Sequence, residues 1–324
     1  MGFRRSLLTG ALAVVTMSSV LPASAQFGRG GANQFTPEPG AMDLKAVLFN
    51  WTWHMGMLRG ESEVELIQTL EYRAEGTVQV NGQTCALAEY EEAEPGILGP
   101  AGYRISADYR IPGYRVQIRC TLPNGQAYSN VETLSGEFAW DEDMPGAELI
   151  PGEGKATPRP ESYQERLIRL WASPHGAPKA AIAGAAGVSI EEAFAQNPAT
   201  LLDRQTEARV RPVTTLDWQG NRPVLTFPIP GVAGAIATVT LSPDFLPESV
   251  IVKRGSDTTE FIYGEFRDTN NPLHRIDTLY AGTIVERHNG TVVRDLRTIV
   301  TEIGQGYVVV PVPDSVRAAG PATN

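Results

Sequence analysis

Residues 77–87 read TVQVNGQTCAL, and the fold class turns on them. The Asn81-Gly82 pair readily adopts the positive φ angles of a two-residue type I′ turn, whose twist suits paired strands. A hairpin closed there sets Val78 opposite Cys85 and puts Val80 and Leu87 on the same face. The stretch therefore predicts an antiparallel sheet with one apolar face, and Cys85 lies on that face.

The same alternation continues downstream. Tyr103, Ile105, Ala107 and Tyr109 alternate with Arg104, Ser106, Asp108 and Arg110; after Pro112-Gly113 the period resumes through Tyr114, Val116, Ile118 and Cys120. Asn124-Gly125 then turns the chain into one or two further strands over QAYSNVETLSGEFAW, 126–140. Cys85 and Cys120 are the only cysteines, and both fall on the apolar stripe. In an oxidising compartment such a pair defaults to a disulfide, here a buried one between strands of one sheet.

Beyond residue 209 the chain reads as β again: RPVTTLDW, RPVLTFPI, ATVTL, SVIVKR, TTEFIYGEF, and GTIVERH with TVVRDLRTIVTEI about Asn289-Gly290. In that last hairpin a simple register sets Glu286 against Val293 and Ile284 against Asp295, a poor match of cross-strand pairs.

Helical patterns separate the two β regions. Residues 144–162 are a loop by proline and glycine content. Tyr163, Leu167, Leu170 and Trp171 then share one helical face, with Glu165, Arg166 and Arg169 directed elsewhere. A second helical region covers Lys179 to Ala186, and Ser189 with Glu192 forms a capping box ahead of Ala193 and Phe194. Ser62 with Glu65 forms another, and Val64, Leu66, Ile67 and Leu70 predict a short helix from Glu63 to Glu71. The expected class is mainly β (α+β): a curved antiparallel half-barrel meander with inserted helices covering its concave face.

The N-terminus gives the compartment. Arg4 and Arg5 precede an apolar run from Leu7 to Val15, and Ala23-Ser24-Ala25 supplies small residues for cleavage, so residues 1–25 read as a secretory signal. Thr9, Gly10, Thr16 and Ser18 break the run short of the roughly 20 apolar residues a membrane span needs. Removal of the two arginines takes the formal charge from −10 to −12. With no basic stripe, nucleic acid is excluded as a partner. Residues 26–45 read as a disordered leader, 46–317 as a single half-barrel-like domain with its helical insertion near 160–203, and 318–324 as a disordered tail.

The order of elements, with TLEYRAEGTVQVNG (69–82), EFAWDE (137–142), RLWASPHGAPKAA (169–181) and YVVVPVPDSV (307–316), resembles exported bacterial proteins of the outer-membrane lipoprotein carrier and receptor (LolA/LolB-like) half-barrel fold. The resemblance spans about Val64 to Arg317, and this chain departs from the pattern in its loops at 91–102 and 144–160. It implies an incomplete barrel wrapped around helices, an apolar cavity for acyl chains and a periplasmic or secreted location. It transfers no functional residue.

Catalytic motifs are sparse. Ser173 and His175 in LWASPHGAPKAA (170–181) lack a Gly-x-Ser-x-Gly elbow, and Pro174, Gly176 and Pro178 mark a helix junction. His54, His274 and His288 belong to no metal-ligand spacing, and no phosphate loop is present. No metal or cofactor is expected, and a zinc site assembled from distant residues stays open.

The leading expectation is a non-enzymatic periplasmic protein that binds or carries a hydrophobic, acyl-chain-like small molecule or lipid. Its cavity or lid would be built from Leu167, Leu170, Trp171 and Phe194 on the helices, and from Val116, Ile118, Phe227 and Phe261 on the sheet. The alternatives are an envelope interaction or scaffold protein with a fully packed core, and a hydrolase with dispersed catalytic residues. Stable membrane insertion is not expected.

Overall fold

A computed structural model describes residues 36–58, 67–91, 99–194, 201–202, 213–269, 277–304, 308 and 310–322, with the backbone alone at Phe194. Residues 1–25, read above as a secretory signal, the Ser62/Glu65 capping box and His274 lie outside the described residues.

The chain is a long antiparallel meander interrupted by helices. Its first half comprises β1 (Thr69–Val80), β2 (Gln83–Leu87), β3 (Tyr103–Asp108), β4 (Gly113–Thr121), β5 (Ala127–Ser135), β6 (Phe138–Glu142) and β7 (Ala156–Pro158). Its second half comprises β8 (Thr215–Gln219), β9 (Arg222–Pro228), β10 (Ala235–Leu241), β11 (Pro247–Arg254), β12 (Asp257–Gly264), β13 (Arg267–Asp268), β14 (Leu279–Tyr280), β15 (Thr283–His288) and β16 (Thr291–Ile303). One 14-stranded sheet runs β7, β6, β5, β4, β2, β1, β16, β15, β12, β11, β10, β9, β8, with β3 beside β2 between β1 and β4; β13 and β14 pair separately. The two halves join where β1 pairs β16, from Leu70↔Ile303 to Val78↔Arg294. Gly76 permits that seam: with φ at +125°, a Cβ there would lie 2.0 Å from the Asp295 carbonyl oxygen.

The Asn81-Gly82 hairpin pairs Val78 with Cys85 as its turn requires. Tyr103, Ile105 and Ala107 face Ile118, Val116 and Tyr114 across β3 and β4, and all six are buried. Cys85 and Cys120 form a disulfide with a Cα separation of 5.5 Å.

The hairpin at Asn289-Gly290 departs from the simple register. A bulge between Glu286 and Arg287 skips Val293, so that Glu286 pairs Arg294 and Ile284 pairs Leu296. One extra residue on one strand thus turns the mismatched pairs into an acid opposite a base and an aliphatic opposite an aliphatic, both on the inner face.

Between the halves lie a 3₁₀ turn (Pro160–Ser162), α2 (Tyr163–Ala172), α3 (Gly176–Ala186) and α4 (Ile190–Phe194), packed on the concave face. Glu192 N donates to Ser189 Oγ at 3.2 Å, as the capping box predicts. A helix missed in the sequence, α1 (Leu44–His54), precedes the sheet and packs against α3. Asp43 caps it by accepting from Ala46 N at 2.9 Å, and Val47, Leu48 and Trp51 are buried.

Two expectations are corrected. Residues 69–71 belong to β1 rather than to a helix over 63–71, because Leu70 and Tyr72 are claimed by ladders with β3 and β16 on both sides. Arg166 and Arg169 do not point away from the core; both are buried, because carboxylates and carbonyls on the sheet satisfy their guanidiniums.

The opposite face of the sheet carries a small second cluster. Trp140 and Ala156 pack there with Val316 of α5 (Asp314–Ala319), and Val310 O accepts from Ser135 Oγ at 2.8 Å.

Candidate functional site

The concave face brings together residues from distant strands. Glu132 lies on β5 opposite Val116, and Arg294 lies on β16 opposite Glu286. Four strand-to-strand steps separate β16 from β5, about 19 Å along a flat sheet. Yet Arg294 Nη2 donates to Glu132 Oε2 at 2.9 Å and to Oε1 at 3.1 Å. The sheet is therefore curled until its inner side chains meet, and α2 lies over the join.

Arg169 of α2 completes the join. Its Nε and Nη2 donate to the two oxygens of Glu286 at 3.1 Å each. Its Nη1 donates to the Tyr114 hydroxyl at 2.9 Å and to Glu132 at 3.3 Å, and Nη2 also reaches Glu165 one turn back at 2.8 Å. Arg294 Nη1 donates to Glu286 at 2.7 Å, and His288 Nε2 lies 2.7 Å from the same carboxylate. Burial alone would raise the Glu286 carboxyl; Arg169 and Arg294 more than reverse this and hold it well below the usual carboxylate range. Glu132 is lowered too, burial again being outweighed by Arg294 and Arg169.

Beside this quartet is a cavity of about 40 Å³. That is room for a few waters; pockets enclosing small organic ligands run to roughly 300–1,000 Å³. Leu70, Ile105, Leu170, Phe261, Ile284 and Leu296 form its apolar wall, while Tyr114, Arg169, Glu286 and Arg294 form its polar end. Tyr280 borders both this cavity and a surface groove of about 420 Å³ near Arg267 and Thr298.

Of the residues singled out for a cavity or lid, Leu170 and Phe261 border the cavity. Leu167, Trp171, Val116, Ile118 and Phe227 are buried in the same continuous core, away from its lining. The side chain of Phe194 lies outside the described residues. Glu132, Glu286, Arg169 and Arg294 were not singled out, because their meeting depends on curvature and on a bulge. The poor cross-strand match at Glu286 was the available signal.

The Ser173–His175 stretch is a helix junction. Ser173 Oγ donates to Leu170 O at 2.7 Å, accepts from Gly176 N at 3.1 Å and lies 3.0 Å from the Tyr109 hydroxyl. His175 is fully buried; Nε2 meets the Leu279 carbonyl at 2.8 Å, which makes Nε2 the protonated nitrogen, and Nδ1 has no partner. Neither side chain is directed at the other, so the pair forms no nucleophile and base. Among the described residues, Glu165, Glu286 and His288 stand close enough to share a cation, but both carboxylates are engaged by guanidiniums, a poor setting for a metal.

Burial, assisted by Lys179, lowers the His175 pKa to about 3. A histidine so depressed favours folding only while unprotonated: the unfolded chain takes up the proton below about pH 6.5, the folded chain not until about pH 3. Stability should therefore fall as pH drops from 6.5 to 4.5, with a limiting slope of about 1.4 kcal/mol per pH unit. Urea unfolding at stepped pH would measure it, and His175→Gln should flatten the slope in this window. An unchanged slope in that variant would assign the effect elsewhere.

Among solved structures the chain is similar to a LolA superfamily protein from Nitrosomonas europaea, with 9% identity over 85% of this chain and 97% of that one, at a TM-score of 0.34. No protein-family model matches the chain, and no curated protein matches it.

Proposed function

We propose that this is a non-enzymatic, extracytoplasmic protein that binds or carries a hydrophobic, acyl-chain-like ligand between the inserted helices and the concave sheet. The observation that carries the reading is the interior cavity beneath α2, apolar along one wall and bordered by Tyr280 where the outer groove approaches. At about 40 Å³ the closed interior holds no acyl chain, so uptake requires the helical layer to move off the sheet. The N-terminal signal and the Cys85–Cys120 disulfide support a location outside the cytoplasm. Among the described residues no helix is long and apolar enough to cross a membrane.

The test is mass analysis of lipid extracted from the purified protein, with titration by the neutral apolar fluorophore N-phenyl-1-naphthylamine. Co-purifying lipid, or saturable uptake of the fluorophore that the extracted lipid displaces, is expected. Failure of both would overturn carriage and leave the second reading, an envelope interaction or scaffold protein, which the small cavity volume favours.

A further inference from the structure

We infer that the loop between β6 and β7 is a docking peg for a protein partner, one that offers an apolar pocket bordered by lysine or arginine side chains. The inference concerns the outside of the molecule and holds whatever the interior binds.

This loop lies within the 144–160 stretch that departs from the half-barrel pattern, and it leads into β7, the terminal strand of the sheet. Met144 is 43% exposed, Leu149 45% and Ile150 58%, and Pro151 beside them is exposed as well. Apolar side chains scattered singly over a surface need no explanation. Here they share one short loop, and the loop is built to hold them out. Glu142, whose side chain is 1% exposed, accepts from Gly146 N at 2.8 Å and is itself fixed by Trp140 Nε1 at 2.9 Å and Arg115 Nη2 at 3.2 Å. Glu148 has a φ of +64°; its carboxylate accepts from Ala156 N at 2.9 Å, and its N–H donates to Glu153 O at 2.7 Å. Leu149 N donates to Gly146 O and Glu153 N to Ile150 O, closing the turns on either side of the tip. Met144 packs down on Gly154, where a Cβ would lie 2.7 Å from its Cγ. A buried carboxylate and a left-handed non-glycine residue are both costly features. Both serve here to fix a loop whose apolar tip meets water, and a tip so fixed loses little conformational freedom on docking.

Charge selects the occupant. Asp143 and Glu153 are exposed around the tip, Glu148 is half-buried, and Lys155 is the only base between residues 141 and 155. An anionic lipid surface repels such a rim. A second copy of the chain brings the same acidic rim to the contact. An aliphatic pocket bordered by cations complements the tip and its rim together, the apolar anchor holding the complex and the charges steering it.

The experiment places p-benzoylphenylalanine at position 150 of the full chain, crosslinks it by light in the cells that natively make it, and identifies the adduct by mass. One protein is expected, which is then purified and titrated with the full mature chain. Leu149→Ser with Ile150→Ser should lower the affinity at least about tenfold, and Glu153→Lys should slow association about fivefold at low salt. Neither change should move the urea midpoint, because all three residues are exposed; should the serine pair unsettle the loop, Glu153→Lys tests the charged rim on its own. An adduct with lipid or with a second copy of the chain, no adduct at all, an adduct protein that does not bind once purified, or binding indifferent to either variant would overturn the inference. So would flotation with vesicles of phosphatidylethanolamine and phosphatidylglycerol that is lost in the serine double variant.

Discussion

Arg169→Ala should lower the free energy of unfolding by about 3–5 kcal/mol, the usual cost of removing one partner from a buried ion pair. The effect is large because the partner left behind cannot retreat into water. Glu286 has a side chain 3% exposed and accepts two hydrogen bonds from Arg169, so the truncated protein keeps a buried carboxylate with fewer donors. Arg294 and His288 still hold that carboxylate, which keeps the loss finite. The same change frees the Tyr114 hydroxyl and half of the clamp on Glu132. Urea denaturation followed by tryptophan fluorescence measures it. Introducing Glu286→Gln beside Arg169→Ala should recover part of the loss, because the amide no longer requires a cation. A cost below about 1 kcal/mol, the range of exposed pairs, would mean that water reaches the quartet and that α2 is not locked down by it.

Replacing both cysteines by alanine should cost about 3–4 kcal/mol in the chain-entropy treatment of a loop whose ends are 35 residues apart. Both half-cystines are buried against the inner face, so packing loss adds to the entropic effect. The measurement is the unfolding free energy of the Cys85→Ala, Cys120→Ala chain against the oxidised wild type. Thiol titration of unfolded, unreduced protein should find no free sulfhydryl. A double variant as stable as the parent would mean that β2 and β4 are held in register without the covalent link.

How much was legible in the sequence depended on the range of the interaction involved. Turn chemistry at Asn81-Gly82 fixes the Val78↔Cys85 register locally, and period-2 alternation fixes the inner face of β3 and β4. The amphipathic stripe of Tyr163, Leu167, Leu170 and Trp171 gives α2 in the same way. The polar half of the candidate site was not legible. Arg169 looks like a solvent-facing residue on a helical wheel, and only the approach of β5 to β16 makes it the centre of a cluster. The bulge beside Glu286 is likewise invisible to a rule that counts equal residues from the turn. α1 was missed because its apolar residues lie all around the helix, with little of the one-sided stripe by which helices are recognised.

The seam between β1 and β16 bears on how the chain is made. Leu70 finds Ile303, and Val78 finds Arg294, across more than two hundred residues. Contacts so remote are reached slowly, since the entropy of closing the intervening loop must be met before they contribute. A chain emerging from its N-terminus could order the hairpins of the first half long before their final neighbour exists. Until β16 arrives, one border of β1 stays bare, an invitation to pair with other nascent copies. The last strand of the sheet to be made is thus the one that covers the exposed border of the first.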